Sequence, residues 1–175
     1  MILYHGTTET RALQIFQDRC IKKDVERYFT EESNGDGYTT QGFVYLTNEI
    51  TFAVHFANCH NLSDRAKALY LFRIDVPDEM VEADYDELRY QMAREDEIER
   101  CGGTLSCSLL EYKACRVAAI LSFEQFPMSY YKIDLTNGLD ADSLTDFAGY
   151  NLKGTIENYT LAQKDFIQNV VWTAV

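Results

Sequence analysis

The sequence predicts an α+β domain. Short runs of β-favouring residues recur along the whole chain, and apolar residues at helical spacing follow the first two of them. Only two prolines and no low-complexity tract interrupt the 175 residues. With 46% apolar and 13% aromatic residues, a chain of this length buries a real core, most simply as a single domain over residues 1–175.

Taken in order, residues 1–5 form a strand and Glu9 to about Cys20 a helix. Thr7 or Thr8 is placed to cap that helix, and Leu13, Ile15 and Phe16 are partly periodic along it. Glu31–Gln41 is turn chemistry and reads as a loop. Gly42-Phe43-Val44-Tyr45-Leu46-Thr47 is a strand, and Asn48 can cap a helix over Glu49–Asn58, where Phe52, Ala53, Phe56 and Ala57 share a face. Residues 68–76 form a second strong strand, closed by Pro77. Asp78–Arg100 is charge-dense, lacks glycine and proline, and reads as a helical insertion. Cys101-Gly102-Gly103 breaks it, and Thr104–Glu124 then reads as one or two strands centred on Arg116–Phe123. Tyr130–Leu135 gives another short strand before an Asn137-Gly138 turn, and the tail from Asp140 carries one or two helices.

The formal charge of −12, from 28 acidic and 16 basic residues, argues against broad binding to a phosphate backbone, although one basic groove stays compatible with it. Lys22, Lys23 and Arg27 are the densest basic cluster and read as a solvated helix face. No apolar run approaches the ~18 residues of a membrane span, and no basic, apolar leader opens the chain. Five scattered cysteines suit free thiols in a reducing compartment, so the expectation is a cytoplasmic protein that engages no membrane.

Chemistry enters with Leu3-Tyr4-His5-Gly6-Thr7. A histidine beside a glycine offers a ring nitrogen next to backbone that a flat ligand can approach closely. Alone, the same residues fit a strand-end histidine bonded to a neighbouring carbonyl and a glycine in a turn. Together with Gly42–Thr47 and Ala53–Ala57 they resemble the ADP-ribosyltransferase superfamily, in the His-Tyr-Glu branch of diphtheria-type toxins and poly(ADP-ribose) polymerases; Tyr-His-Gly-Thr also resembles the rifampin ADP-ribosyltransferases. The resemblance covers three short patches within residues 1–125 and none of the C-terminal strand and helices of residues 126–175.

That resemblance implies a split mixed β-sheet with flanking helices and NAD as substrate, with no metal. Tyr45 and Phe56, eleven positions apart, would sandwich nicotinamide, and two rings around a pyridinium contribute roughly 0.5–2 kcal/mol each. His5 would hold the adenosine-side ribose, Gly6 would present its backbone to the carboxamide, and Thr7 would add a hydroxyl. Where the polymerases place a carboxamide-binding serine, this chain has Ala53. The catalytic acid would be Glu111, in Ser106-Cys107-Ser108-Leu109-Leu110-Glu111-Tyr112, with Glu124 as its rival. A carboxylate facing the oxocarbenium-like ribose stabilises the transition state more than the ground state. The implied activity is mono-ADP-ribosyl transfer to a macromolecular acceptor, protein or nucleic acid, by a bacterial or phage effector such as a toxin restrained by an antitoxin.

Other readings compete. NAD-dependent RNA 2′-phosphotransfer needs several arginines around one histidine, and only Arg11, Arg65 and Arg73 present themselves. Transfer to a small-molecule antibiotic is a further possibility, and a module that keeps the fold for NAD or protein binding without catalysis is the alternative from another class. A dinucleotide dehydrogenase lacks its Gly-x-Gly-x-x-Gly turn. Cys59, His60, Cys101 and Cys107 lack zinc-ligand spacing, and no nucleophile elbow supports a hydrolase.

Overall fold

The computed structural model describes residues 1–27, 39–91, 102–137 and 161–175. Most of the Glu31–Gln41 loop, the end of the Asp78–Arg100 insertion, Gly138 of the expected turn and the tail through residue 160 therefore lie outside the described residues.

The chain is mixed α and β, with helices packed on an antiparallel sheet. Strand β1 is Ile2–Thr8, followed by helix α1 (Glu9–Asp18) and the short β2 (Cys20–Ile21). Then come β3 (Val44–Thr47), α2 (Ile50–Asp64) and β4 (Ala68–Asp75). A 3-10 turn over Asp78–Met80 leads to β5 (Val81–Ala83), α3 (Tyr85–Gln91) and α4 (Leu105–Glu111). The described chain closes with β6 (Ala114–Val117), β7 (Leu121–Ser122), β8 (Met128–Asp134), α5 (Leu161–Asn169) and β9 (Thr173–Ala174). Seven strands form one sheet in the order β5-β6-β3-β1-β4-β8-β9, while β2 and β7 pair separately. Every described pairing is antiparallel, which corrects the expected mixed sheet.

The core forms because β4 is covered on both faces, and its first five residues are all buried. Tyr70, Phe72 and Ile74 pack with Ala12, Ile15 and Phe16 of α1. Leu69 and Leu71 point the other way, onto Ile50, Ala53, Val54 and Ala57 of α2. Burying Phe72 or Leu71 completely contributes roughly 1.5–3 kcal/mol each. The C-terminal residues join the same body: Trp172 stacks on Tyr4 at 5.8 Å, and β9 extends the sheet beyond β8.

Two segments depart from expectation for tertiary reasons. Asp78–Arg100 is not one helix, because Val81–Ala83 pairs with β6, Val81 opposite Val117 and Ala83 opposite Cys115. Leu105–Glu111 is a helix rather than a strand: the Thr104 hydroxyl accepts the Cys107 amide at 3.2 Å, and Leu105 and Leu109 turn together onto the core. The strand expected through Phe123 ends at Val117, and Leu121–Ser122 pairs with β2 instead.

The caps also differ. Asn48 does not cap α2, which begins after Glu49 and runs on to Asp64; its side-chain amide donates to the Leu109 carbonyl at 3.3 Å, tying the β3–α2 junction to α4. Thr8 stands at the start of α1, yet its hydroxyl bonds the Asp64 carboxylate rather than the helix. Cys107 is disulfide-bonded while Cys20, Cys59 and Cys115 are free, so the reading of five free thiols does not hold.

Candidate functional site

The sheet is divided between β1 and β3. Strand β1 pairs with β4 along all seven residues from Ile2 to Thr8, but with β3 only where Tyr4 faces Thr47. Beyond that bridge the two strands part, and one hydrogen bond crosses between them. His5 Nδ1 donates to the Tyr45 carbonyl at 3.0 Å. A carbonyl only accepts, so the bond fixes the ring proton on Nδ1 and leaves Nε2 with a lone pair. Burial pushes the His5 pKa down; the carbonyl opposes this, and the charges of Arg11 and Arg27 add to it. The ring is thereby neutral at neutral pH.

His60, one turn from the end of α2, belongs to the same electrostatic neighbourhood. Burial, and then repulsion from His5 and Arg11, take it down to about 4 against the pull of Asp64. Asp64 in turn holds Thr8, so β1 and α2 are joined at the far end of the strand.

Gly6 lies in the strand and not in a turn. A side-chain carbon there would sit 1.7 Å from the Ala53 carbonyl oxygen, so this glycine lets α2 lie directly on β1. The Ala53 of the motif comparison is thus the residue that occupies the space over Gly6. Thr7 is buried within β1.

Tyr45 is held by a polar network that the sequence did not reveal. Tyr45, Arg116 and Glu82 stand side by side across β3, β6 and β5, because Tyr45 faces Arg116 and Arg116 faces Glu82. Above this row is Asp86, at the start of α3. Its carboxylate accepts from the Tyr45 hydroxyl, from the amide and hydroxyl of Thr40 at 2.8 Å each, and from Arg89 at 3.2 Å. Arg116 donates to Glu82 at 3.0 Å, lies 3.7 Å from Asp86, and spreads over the Phe43 ring at 3.8 Å. Burial raises the Asp86 pKa, but Tyr45, Thr40 and Arg116 outweigh it and hold the carboxyl below its ordinary range. For Tyr45, burial and the Asp86 bond both drive the phenol upward, so it stays protonated.

Asp84, two residues earlier, is buried for a different purpose. Its Oδ1 accepts the amides of Asp86 and Glu87, capping α3, and its own amide donates to Ser108 at 3.0 Å. Burial takes its pKa up to about 7.

The two expected nicotinamide rings have separate neighbours. Tyr45 meets Phe43 edge-on at 6.5 Å and the Arg27 guanidinium at 5.2 Å, whereas Phe56 meets Phe52 at 6.2 Å and His55 at 5.6 Å. Arg27 is therefore not on a solvated helix face, since it is half-buried and tied to the Phe43 carbonyl at 2.8 Å. Glu111 ends α4 as an exposed residue, three positions before β6, the strand paired with that of Tyr45. Glu124 is exposed in the turn after β7, beside the small second sheet. Among the described residues no group of three His, Cys, Asp or Glu is placed to hold a metal ion, and no helix is long and apolar enough to cross a membrane.

Asp84, Asp86, Arg116 and Arg27 are the site residues that sequence reasoning missed. The apolar alternation of Val81-Glu82-Ala83 before Asp84-Tyr85-Asp86 was the available signal for the first two, since it marks a strand delivering an acid to a helix start. No protein-family model matches the chain, and no curated protein matches its sequence.

Proposed function

We propose that the chain is an NAD-dependent mono-ADP-ribosyltransferase that passes ADP-ribose to a macromolecular acceptor and releases nicotinamide. The observation that carries this reading is the parting of β1 from β3, with His5 and Tyr45 on its two lips joined by a single hydrogen bond. The strand order β6-β3-β1 supports it further, because it sets the segment after Glu111 next to the strand of Tyr45, and that strand next to the strand of His5.

In this reading the neutral His5 accepts a ribose hydroxyl at Nε2, and Tyr45 and Phe56 flank the pyridinium. The bond from ribose C1′ to the pyridinium nitrogen breaks, and its electron pair leaves with nicotinamide, which departs neutral. Glu111 faces the positive charge left on the ribose. The acceptor nucleophile then bonds to C1′ and gives up its proton. The biological setting, a toxin or anti-phage effector held by an antitoxin, is an analogy of fold and size.

A second reading, a binding module that keeps the fold without catalysis, draws on the place of Glu111 at the exposed end of a helix rather than on a strand. Incubating purified protein with NAD and cell lysate separates the two. The transferase reading expects nicotinamide release and label transfer, with Glu111→Ala lowering release about 100-fold or more; protease and nuclease digestion then identify the acceptor. No release by the wild-type protein overturns it.

A further inference from the structure

We propose that Asp86 is the positioning residue of Tyr45, fixing the phenol ring at the parting of β1 and β3 before a ligand arrives. The inference rests on the transferase reading for the identity of that ligand alone, the nicotinamide of NAD.

The Asp86 carboxylate is not engaged in capping its own helix. Asp84 does that, accepting the amides of Asp86 and Glu87. Apart from Arg89, the partners of Asp86 lie on other elements: the Tyr45 hydroxyl on β3, the amide and hydroxyl of Thr40 ahead of that strand, and Arg116 of β6. The Tyr45 hydroxyl also reaches the Thr40 carbonyl at 2.9 Å, so phenol, carboxylate and Thr40 close one cycle of bonds. The charge of Asp86 favours the charged form of Arg27 as well, and that guanidinium lies 5.2 Å from the centre of the Tyr45 ring.

Such a tether has a cost and a use. The Asp86 side chain is 6% exposed, and a carboxylate so buried loses hydration that several donors together must offset. What those donors secure is the ring. Tyr45 is half-buried between the buried Val44 and Leu46, and its ring turns about two torsions from β3. A bond at the hydroxyl, the atom furthest from the backbone, restrains both. A ring ordered beforehand loses no such freedom on binding, so its contact with a ligand counts in full toward affinity. Strand β3 has one described bridge to β1, whereas β1 is laddered to β4 along its length, so the Tyr45 ring gains more from a side-chain tether than His5 would.

Calorimetry of NAD into the full chain, with nicotinamide release followed in parallel, tests this on Asp86→Asn, Tyr45→Phe and the double variant. Asp86→Asn keeps the size and shape of the side chain but turns one acceptor oxygen into a donor. Each single change is expected to raise the NAD dissociation constant about fivefold while kcat falls by less, and the double variant to bind no more weakly than the singles, because both remove the same bond. A structural role alone would lower the amount of active protein and leave the dissociation constant where it was. If Asp86→Asn does not fold, Tyr45→Phe decides by itself, since it retains the ring and both donors of Thr40. An unchanged dissociation constant in either variant, or effects that multiply in the double variant, overturns the positioning role and leaves the transferase reading intact. The fivefold pattern in a protein that binds NAD but releases no nicotinamide upholds the positioning role and overturns the transferase reading. Wild type that neither binds NAD nor releases nicotinamide overturns both.

Discussion

His5 donates from Nδ1 to the carbonyl of Tyr45 across the parting of β1 and β3, so a backbone atom of one lip sets the tautomer of the side chain on the other. Half of the plain reading of Tyr-His-Gly-Thr, a histidine bonded to a neighbouring carbonyl, describes that contact. The other half, a glycine in a turn, does not.

His5→Ala removes this donor and leaves one carbonyl to be rehydrated, a loss of about 1 kcal/mol. The variant is expected to fold and to melt a few degrees lower, while nicotinamide release falls at least tenfold. Parallel melting curves and release assays check it. A collapse of the fold would mean that the histidine is structural.

Gly6→Ala places a methyl carbon where the Ala53 carbonyl stands, and neither β1 nor α2 can yield without losing core contacts. We expect a loss of about 3 kcal/mol in urea unfolding. Gly42→Ala is the control. It has the strained φ of 90° but open space around it, and a loss of about 1 kcal/mol is expected.

Tyr45→Phe keeps the ring and deletes the hydroxyl that reaches Asp86. A buried carboxylate deprived of one donor costs about 1.5–3 kcal/mol. The carboxyl is depressed in the folded state, so its stabilisation is present above the ordinary value of about 4 and is lost as pH falls through the native value. Removing a donor raises that native value, and acid unfolding followed by circular dichroism is expected to begin at higher pH in the variant.

Asp84 gives the opposite sign. Its native pKa of about 7 exceeds the unfolded value of about 4, so the folded state binds the extra proton between them and stability falls as pH rises through that interval. Asp84→Asn can still accept the amides of Asp86 and Glu87. The variant is expected to be at least as stable as wild type at pH 8 and to lose this slope, whereas Asp84→Ala loses the cap and about 1 kcal/mol. Denaturant titrations at pH 5 and pH 8 distinguish them.

Strands β1, β3, β4 and β8 were legible because aromatic and β-branched residues mark them locally, and α1 and α2 because alanine, phenylalanine and isoleucine fall on one face. Strand β5 was not, since its alternation spans only the three residues Val81-Glu82-Ala83, too short to stand out within a charge-dense segment, and pairing with β6 completes it. Thr104–Glu124 reads as one or two strands centred on Arg116–Phe123, and at its start the Thr104 cap makes a helix instead. In the candidate site, His5 and Tyr45 were found from their motif, and the structure does place them together. Arg27 and Asp86 escaped notice because what distinguishes them lies far along the chain: the Phe43 carbonyl, sixteen residues away, for the first, and the Tyr45 hydroxyl, forty-one away, for the second.

The two halves of the sheet share one described backbone bridge, Tyr4 with Thr47, above a common apolar core in which Leu3 and Phe72 pack in one cluster with Val44, Leu46 and Val117. Amides of β1 and β4, laddered together and roofed by α1 and α2, should exchange with solvent only on global unfolding. Amides of β3 beyond the bridge lack a ladder partner on β1 and are expected to exchange sooner than those of β1 and β4. His5 thus stands on a strand laddered along its whole length and Tyr45 on one tied to it by a bridge and a side-chain bond, so backbone breathing at the parting is local while the apolar core below holds both strands.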